Sequence, residues 1–561
     1  MSKTSAKANA RYLGKLLKQH HCHQIVISPG SRNAPIITAL ANDPDYNCIS
    51  VPDERTAGFT ALGKCMASKK PVAVVCSSGS ALANYYPAVT EAYYQKLPLV
   101  ILSADRPLEW IDQGIGQTIR QDNIFENHIQ YSANLLGEPK DELTKNYNQR
   151  QINQALLATK DGPVHINIPF SEPLYESVSN PEERIRFIEK VDVKRQLDAK
   201  NWAPLYNKWN KSPKILVLAG QLDFKPELIK SIESLHNKSP FLIFSETLSN
   251  LHCTNSISSI DRLINTISED QKKLLKPDIL ITIGGEIVSK MVKKLLRNPE
   301  IEHWLVSESP EIKDSFLNLN KLIPLSPQEF FEGMLLGLSE KKAEYPKTWL
   351  NLDKIKSRKH QEFMAQSSYS DLQVVGELLH HLPKNSVLHT ANSASVRYTQ
   401  LFDQDPSIEH FANRGTSGID GCSSTSLGFA SMTDKIVTLL SGDIAFMYDS
   451  NAFWNNELKG NLRLLVINNN GGNIFRIIKG PKKDGNFEKF QETNHLQSAE
   501  SIALRYSLSY QKAHDLIELK KELKTFYEPS ERPKVLEVFT PRIESPEILQ
   551  DYFRFLSLDN E

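Results

Sequence analysis

Only six cysteines occur in 561 residues (Cys22, Cys48, Cys65, Cys76, Cys253 and Cys422), and no two form a C-x-x-C pair. That dispersal argues against a disulfide framework and against a zinc site built on thiolates, and leaves reduced, structural thiols. One metal-like cluster exists, HHCH at His20 to His23, but consecutive residues at a helix end point in different directions and do not converge on an ion. Net charge is also missing: Lys+Arg and Asp+Glu are 66 each, so no global basic excess draws the chain to nucleic acid or to an anionic membrane. Any cationic site must be local. No apolar run reaches the length of a membrane span, and the start MSKTSAKANARYLG lacks the apolar segment of a secretory signal. The expectation is a cytoplasmic protein without membrane insertion. Two nucleotide-binding signatures and one hydrolase signature are absent as well. GIGQTIR at 114–120 lacks the full dinucleotide glycine fingerprint, no G-x-x-x-x-G-K-[ST] occurs, and CSSGSA at 76–81 lacks G-x-S-x-G.

What is present is a regular alternation. Short β-branched runs are each followed by a turn and a longer helical stretch: QIVIS (24–28), NCISV (47–51), VAVVC (72–76) and PLVILSA (98–104) in the first third. KILVLAG, FLIFSE, DILITIGG and HWLVSES follow in the middle third, and SVLHT, KIVTLLSGD, LRLLVINNN and KVLEVFT in the last. This pattern predicts parallel sheets covered by helices on both faces. At about 150 residues per domain the length suits three or four domains. Charged, Pro-containing stretches near 179–196 and 341–361 read as surface linkers and divide the chain into three doubly wound α/β domains in series, 1–185, 195–345 and 355–561.

Ligands of open parallel sheets sit beyond the carboxyl ends of strands. There the last third places Gly442-Asp443 after one strand and Asn468-Asn469-Asn470 after the next, with 26 residues from Asp443 to Asn469. Small polar residues at such ends contribute nothing to a core, whereas a carboxylate, an amide oxygen and the Gly471 carbonyl suit a hard cation such as Mg2+. Gly442 would let the backbone approach a phosphate, and a helix beginning after Tyr448-Asp449 would direct its dipole at the same charge.

The glycine-aspartate followed by the asparagines resembles the motif of the thiamin-diphosphate enzymes. The resemblance implies three such domains, pyrimidine-binding, central and diphosphate-binding, and a glutamate in the first of them, matched by Glu54 just past a strand. ISPGSRNAPI (27–36), DERTAGFTALG (53–63), SADRP (103–107), GQTIRQ (116–121), NSASVR (392–397), NRGTSGIDG (413–421) and NNNGGNIF (468–475) resemble the branch of that family serving menaquinone biosynthesis. It covers the first and last thirds well and the middle third more weakly.

The implied cofactors are thiamin diphosphate with Mg2+ or Mn2+, and the implied substrates are 2-oxoglutarate and isochorismate. By the same resemblance Glu54 activates the cofactor, which Ser393, Ile419, Gly442, Asp443 and Asn469 help to hold, with Asp443, Asn469 and Gly471 on the metal. Ser31, Arg32, Arg106 and Gln117 would hold isochorismate. Ser393, Arg397 and Arg414 would orient the oxoglutarate-derived group, with Ile474, Phe475 and Ile478 as an apolar wall. Lys290 stands where the family has a substrate-contacting lysine, but Met291 follows where some relatives have arginine, and Lys293 or Lys294 would have to compensate. Four arginines suit two substrates that bring four carboxylates, because the guanidinium fork matches a carboxylate in bidentate fashion. A pyruvate-using carboligase of the acetolactate-synthase kind, the nearest rival, would need fewer. In the family Glu54 and Asp443 meet one cofactor from different chains, which implies a homodimer or a dimer of dimers. The segment 476–491, rich in Gly and Lys, reads as a mobile cover.

Overall fold

The computed structural model describes residues 3–478, 480 and 486–558, so part of the expected cover segment lies outside the described residues. Three six-stranded sheets follow one another, each parallel throughout. The first holds Gln24–Ile27, Asn47–Ser50, Val72–Cys76, Leu99–Asp105, Tyr131–Asn134 and Val164–Pro169. The last holds Val387–Thr390, Glu409–Phe411, Val437–Gly442, Leu462–Asn468, Ser509–Ala513 and Lys534–Phe539. Counted along the chain, the strands of both lie side by side in the order 2-1-3-4-6-5, so the two domains are topological duplicates. The middle sheet (Ile215–Ala219, Leu242–Ser245, Ser256–Ile257, Ile279–Ile283, Glu302–Val306 and Leu319–Ile323) runs 3-2-1-4-5-6. A small antiparallel pair, Lys3–Ser5 with Ser177–Ser179, closes the first domain.

Continuous apolar runs form most of the interior strands because both their faces are buried. Val72, Val74 and Cys76 enter one core while Ala73 and Val75 enter another. The former core is shared: it runs from the first sheet to Val387, Leu439, Leu464 and Val535 of the last. Two helices make the junction, α1 (Glu54–Ser68) from the first domain and, from the last, one spanning Cys422–Ala430. They cross with their backbones in contact. A Cβ added at Gly63 would overlap the Thr425 carbonyl, and one added at Gly428 would overlap the Thr60 carbonyl.

The stretch 341–361, expected as a surface linker, is instead mostly the 22-residue helix Tyr345–Gln366, with Tyr345, Trp349, Lys356, His360 and Phe363 buried. Its aromatic residues recur along one face while the aliphatic stems of its lysines cover apolar surface, so the charge count hid a packed helix. Among the described residues no helix is long and apolar enough to cross a membrane, and all six cysteines are free.

Candidate active site

In sheets ordered 2-1-3-4-6-5, the strand order reverses between strands 1 and 3, and a crevice opens beyond their carboxyl ends. Both duplicate domains place their candidate residues after the carboxyl ends of strands on this side of the sheet: Ser31 and Arg32 after strand 1, Glu54 after strand 2 and Arg106 after strand 4 of the first, Asp443 after strand 3 and Asn469 after strand 4 of the last. In the last domain, Gly442 ends its strand in extended conformation (φ −83°, ψ 163°), and Asp443 opens the helix Asp443–Tyr448 directly. The α-helix therefore starts at the aspartate, and only a short 3-10 helix, Ser450–Phe453, follows Tyr448-Asp449, where the sequence predicts the helix directed at the phosphate. Burial of Ala445 and Phe446 draws the chain into helix at once, so the first-turn N–H groups lie beside Asp443.

Asp443 is buried. Its Oδ1 accepts from the N–H of Ile444 (2.7 Å) and its Oδ2 from the N–H of Gly471 (2.9 Å). Asn469 donates through Nδ2 to Asp371 (3.0 Å), which leaves its Oδ1 buried without a partner. Asp371 in turn accepts from the Thr540 hydroxyl (2.6 Å), and burial raises its pKa. Asn470 and Gly471 take positive φ (63° and 153°), the second a conformation for which glycine is suited, and fold the loop back toward Asp443. Among the described residues no group of three or more His, Cys, Asp or Glu is gathered. The donors at hand are one carboxylate, one free amide oxygen and backbone carbonyls, a set that fits a hard cation sharing its shell with phosphate oxygens. A Cβ added at Gly442 would meet nothing within 4 Å, so the strand end faces open space. His495, which the sequence did not flag, lies 3.4 Å from Asp443, whose adjacent carboxylate holds the imidazole above its ordinary pKa.

In the first domain Glu54 is the first residue of α1, half-buried, with Asn84 Nδ2 at 3.4 Å from its Oε2. Its neighbours face the last domain: Asp53 accepts from Asn451 (2.8 Å) and Arg55 donates to the Tyr448 carbonyl (2.9 Å). Arg32 is 5% exposed, bonded to the Phe170 carbonyl (2.9 Å) and paired with Glu172 (3.1 Å), while its Nε has no partner. Burial and then the nearby Arg106 charge lower its pKa. Arg106 donates to the Gly116 carbonyl (3.0 Å), and the next residue, Gln117 (φ 56°), accepts from Ser78 (2.8 Å). Ser31 is exposed beside Arg32. The structure thus sets Ser31 and Arg32 after strand 1 and Arg106 and Gln117 after strand 4 of the sheet, with the Arg32 and Arg106 charges within reach of each other.

Arg397 is half-buried and Arg414 is 8% exposed, and the Nε of each is buried without a partner. Asn392 organises this part: its Oδ1 accepts from Arg414 (2.9 Å), and its Nδ2 donates to the carbonyls of Asn413 and Gly418 (2.7 Å each). Glu91 of the first domain reaches across and accepts from the N–H of Gly415 (2.7 Å) and from the N–H and hydroxyl of Thr416 (2.6 and 2.7 Å). Ser393 is exposed with φ 76°, and Ile419 packs partly buried on the shared core. Ile474 and Phe475 are half-buried in a short helix, Ile474–Ile477, but Ile478 is exposed, so the expected wall is incomplete in one chain. Lys290 is exposed at the start of the helix Lys290–Leu296. Met291 packs on a middle-domain core, and Lys293 is paired with Glu286 (2.8 Å), so its charge is already engaged. Among the described residues no hydrogen bond or ion pair joins Glu54 to Asp443, Asn469 or Gly471.

Residues 8–126 match the family profile "Thiamine pyrophosphate enzyme, N-terminal TPP binding domain". Residues 184–390 match "Middle domain of thiamine pyrophosphate". Over 552 residues the chain is 42% identical to the 2-succinyl-5-enolpyruvyl-6-hydroxy-3-cyclohexene-1-carboxylate synthase of Christiangramia forsetii, covering 95% of this chain and 96% of that one. The proteins of the same name from Flavobacterium johnsoniae (42% over 544 residues, 95% and 96% covered) and Bacteroides fragilis (38% over 563 residues, 98% and 99% covered) are similar along the same extent. Two duplicate sheets with polar strand ends facing a crevice, and identity of this order along nearly the whole of each relative, place the chain: it belongs to the thiamin-diphosphate-dependent 2-succinyl-5-enolpyruvyl-6-hydroxy-3-cyclohexene-1-carboxylate synthase family.

Proposed function

We propose that the chain decarboxylates 2-oxoglutarate and adds the resulting succinyl group in conjugate fashion to isochorismate, releasing CO2, in menaquinone biosynthesis. The observation that carries this reading is the state of the arginines: Arg32, Arg397 and Arg414 each keep a buried Nε with no acceptor. A buried cationic donor left unpaired costs free energy that an anionic ligand would recover. Two substrates with four carboxylates supply such ligands, whereas pyruvate supplies one.

Asp443, the free Oδ1 of Asn469 and the Gly471 carbonyl would hold Mg2+ or Mn2+, and Gly442, Ser393 and Ile419 would contact thiamin diphosphate. When bound, this cofactor supplies the nucleophilic carbon and the electron sink for loss of CO2. Glu54 would hold a proton at the pyrimidine ring nitrogen, a protein acid-base function. Ser31, Arg32, Arg106 and Gln117 would fix isochorismate. Ser393, Arg397 and Arg414 would orient the oxoglutarate-derived group, with Lys290 as a further cationic contact to substrate carboxylate, while Ile474, Phe475 and Ile478 would form an apolar wall that excludes water. Holding both reactants by charges remote from the reacting carbons is a large source of rate.

The domains of this reading are 1–185 for the pyrimidine ring, 195–345 central and 355–561 for diphosphate and metal. A homodimer or dimer of dimers goes with it, since in the resembled family the counterparts of Glu54 and Asp443 meet one cofactor from different chains, and so does a cytoplasmic location, in keeping with the six free thiols. The test follows isochorismate absorbance with purified protein, thiamin diphosphate, Mg2+ and 2-oxoglutarate. Isochorismate consumption should need every component, and Glu54→Gln should lower it by about 10²-fold or more. Release of CO2 from pyruvate with no loss of isochorismate would sink the substrate assignment.

A further inference from the structure

Two buried acids of the middle domain have no part in the chemistry above. Glu246, 1% exposed, follows the strand Leu242–Ser245 and accepts from the N–H groups of Val288 (2.6 Å) and Ser289 (2.7 Å). Asp261, in the short helix Ile260–Ile264, accepts from the Ser289 hydroxyl. Ser289 is itself the cap of the helix Lys290–Leu296 and accepts from the N–H of Val292 (3.0 Å). Both acids therefore grip the two residues that directly precede Lys290.

The other side of this turn meets the last domain. Val288 shares a small buried apolar cluster with Leu248 of its own domain and with Val396 and Ala412, which stand one and two residues ahead of Arg397 and Arg414. Asp261 lies within electrostatic reach of Arg397, and Glu246 of Arg414. Gly284, Gly285 and Glu286 line one cleft together with Arg414. The helix of Asp261 is also fastened across the domain boundary: Arg262, fully buried, donates to both carboxylate oxygens of Asp403 (3.0 and 3.1 Å) and to Asp353 (3.2 Å). Burial raises the pKa of both Asp261 and Glu246, that of Glu246 to about 8, and buried ionisable groups are poor sources of stability, since apolar replacements of like volume often do as well. What this pair supplies is a fixed turn.

We propose that Glu246 and Asp261 are positioning residues, which through the Val288-Ser289 turn set Lys290 beside Arg397 and Arg414, so that the middle domain completes the cationic cluster for the substrate carboxylates. This rests on the roles given to those three cations under Proposed function. The test is steady-state kinetics with both substrates on wild type, Lys290→Met, Asp261→Asn, Ser289→Ala and the double variant Lys290→Met/Ser289→Ala. Thermal unfolding is recorded for each, and Ser289→Ala carries the test if Asp261→Asn fails to fold. Lys290→Met should raise KM for one substrate by about tenfold with kcat nearly kept. Asp261→Asn and Ser289→Ala should raise the same KM. In the double variant the effects should not add, because the second substitution acts through a side chain already removed. Additive effects, or a wild-type KM in Ser289→Ala beside a raised KM in Lys290→Met, would overturn the inference and leave the functional reading intact. Unchanged KM values in Lys290→Met would instead remove Lys290 from the site, and both statements about it would fall.

Discussion

Replacing Gly442 by alanine separates the fold from the cofactor site. The residue sits at φ −83° and ψ 163°, where alanine is unstrained, and the new Cβ would meet no atom within 4 Å. As the residue before the helix Asp443–Tyr448, alanine is a poorer cap than glycine by about 0.5–1 kcal/mol. Reduced freedom of the unfolded chain returns about 0.4–1 kcal/mol. The two nearly cancel, so the cofactor-free protein should unfold at the wild-type temperature. If diphosphate lies against the bare Cα, the methyl group enters occupied space, and overpacking of this kind costs about 1–3 kcal/mol, or about 5- to 150-fold in Kd. The assay pairs calorimetry of the cofactor-free variant with a fluorescence titration of thiamin diphosphate at saturating Mg2+. Gly137→Ala, which likewise has open space around it, is the control. Wild-type cofactor affinity in Gly442→Ala would refute the placement of the diphosphate, and a large loss of stability would refute the reading of the space as open.

Asp371→Ala frees the Asn469 amide to turn its Oδ1 away, and loss of such a supporting partner should weaken the Mg2+ requirement curve by about 10- to 100-fold. An unchanged Mg2+ midpoint would dismiss Asp371 as a support. Glu91→Ala strips the acceptor from three donors of Gly415 and Thr416 at about 1 kcal/mol or more each, so amide exchange across 413–421 should quicken by about a hundredfold. Exchange at the wild-type rate there would mean that the loop holds itself. Burial pushes the Asp449 carboxyl from its ordinary 3.8 up to about 7 against the lowering influence of Ser424. The folded state therefore binds this proton more tightly than the unfolded one, and the contribution is full at low pH and lost as pH rises through about 7. Relative to Asp449→Asn, wild-type melting temperature should fall across that window, and parallel curves would contradict the assignment.

The interior strands were legible because burial on both faces writes them as unbroken apolar runs, as in VAVVC and KILVLAG. Val164–Pro169 was missed although it is interior, because His165 and Asn167 break the run. Inside the sheet Ser103 bonds both, His165 through Nε2 (2.7 Å to each), and Asn167 is also bonded by Gln121 (2.9 Å) and Asp105 (2.8 Å). Tyr131–Asn134 and Ser509–Ala513 are edge strands, half-exposed, with little pattern to read. At the site, Asp443 and Asn469 declared themselves as small polar residues at strand ends. Glu91, Asp371 and Asn392 could not, because each acts through hydrogen bonds to partners remote in sequence, 324 positions away for Glu91 and Gly415.

The crossing at Gly63 and Gly428 bears on how this chain can be recombined with its relatives. The obstacles facing both glycines are carbonyl groups of the opposite helix, not side chains that could rotate aside. No second substitution nearby can make room, since a peptide group has no smaller version. The first and last domains are thus keyed by the paths of their backbones. A chimera exchanging one of them must import a helix that brings glycine to the crossing and follows the same line, however well the remaining surfaces agree.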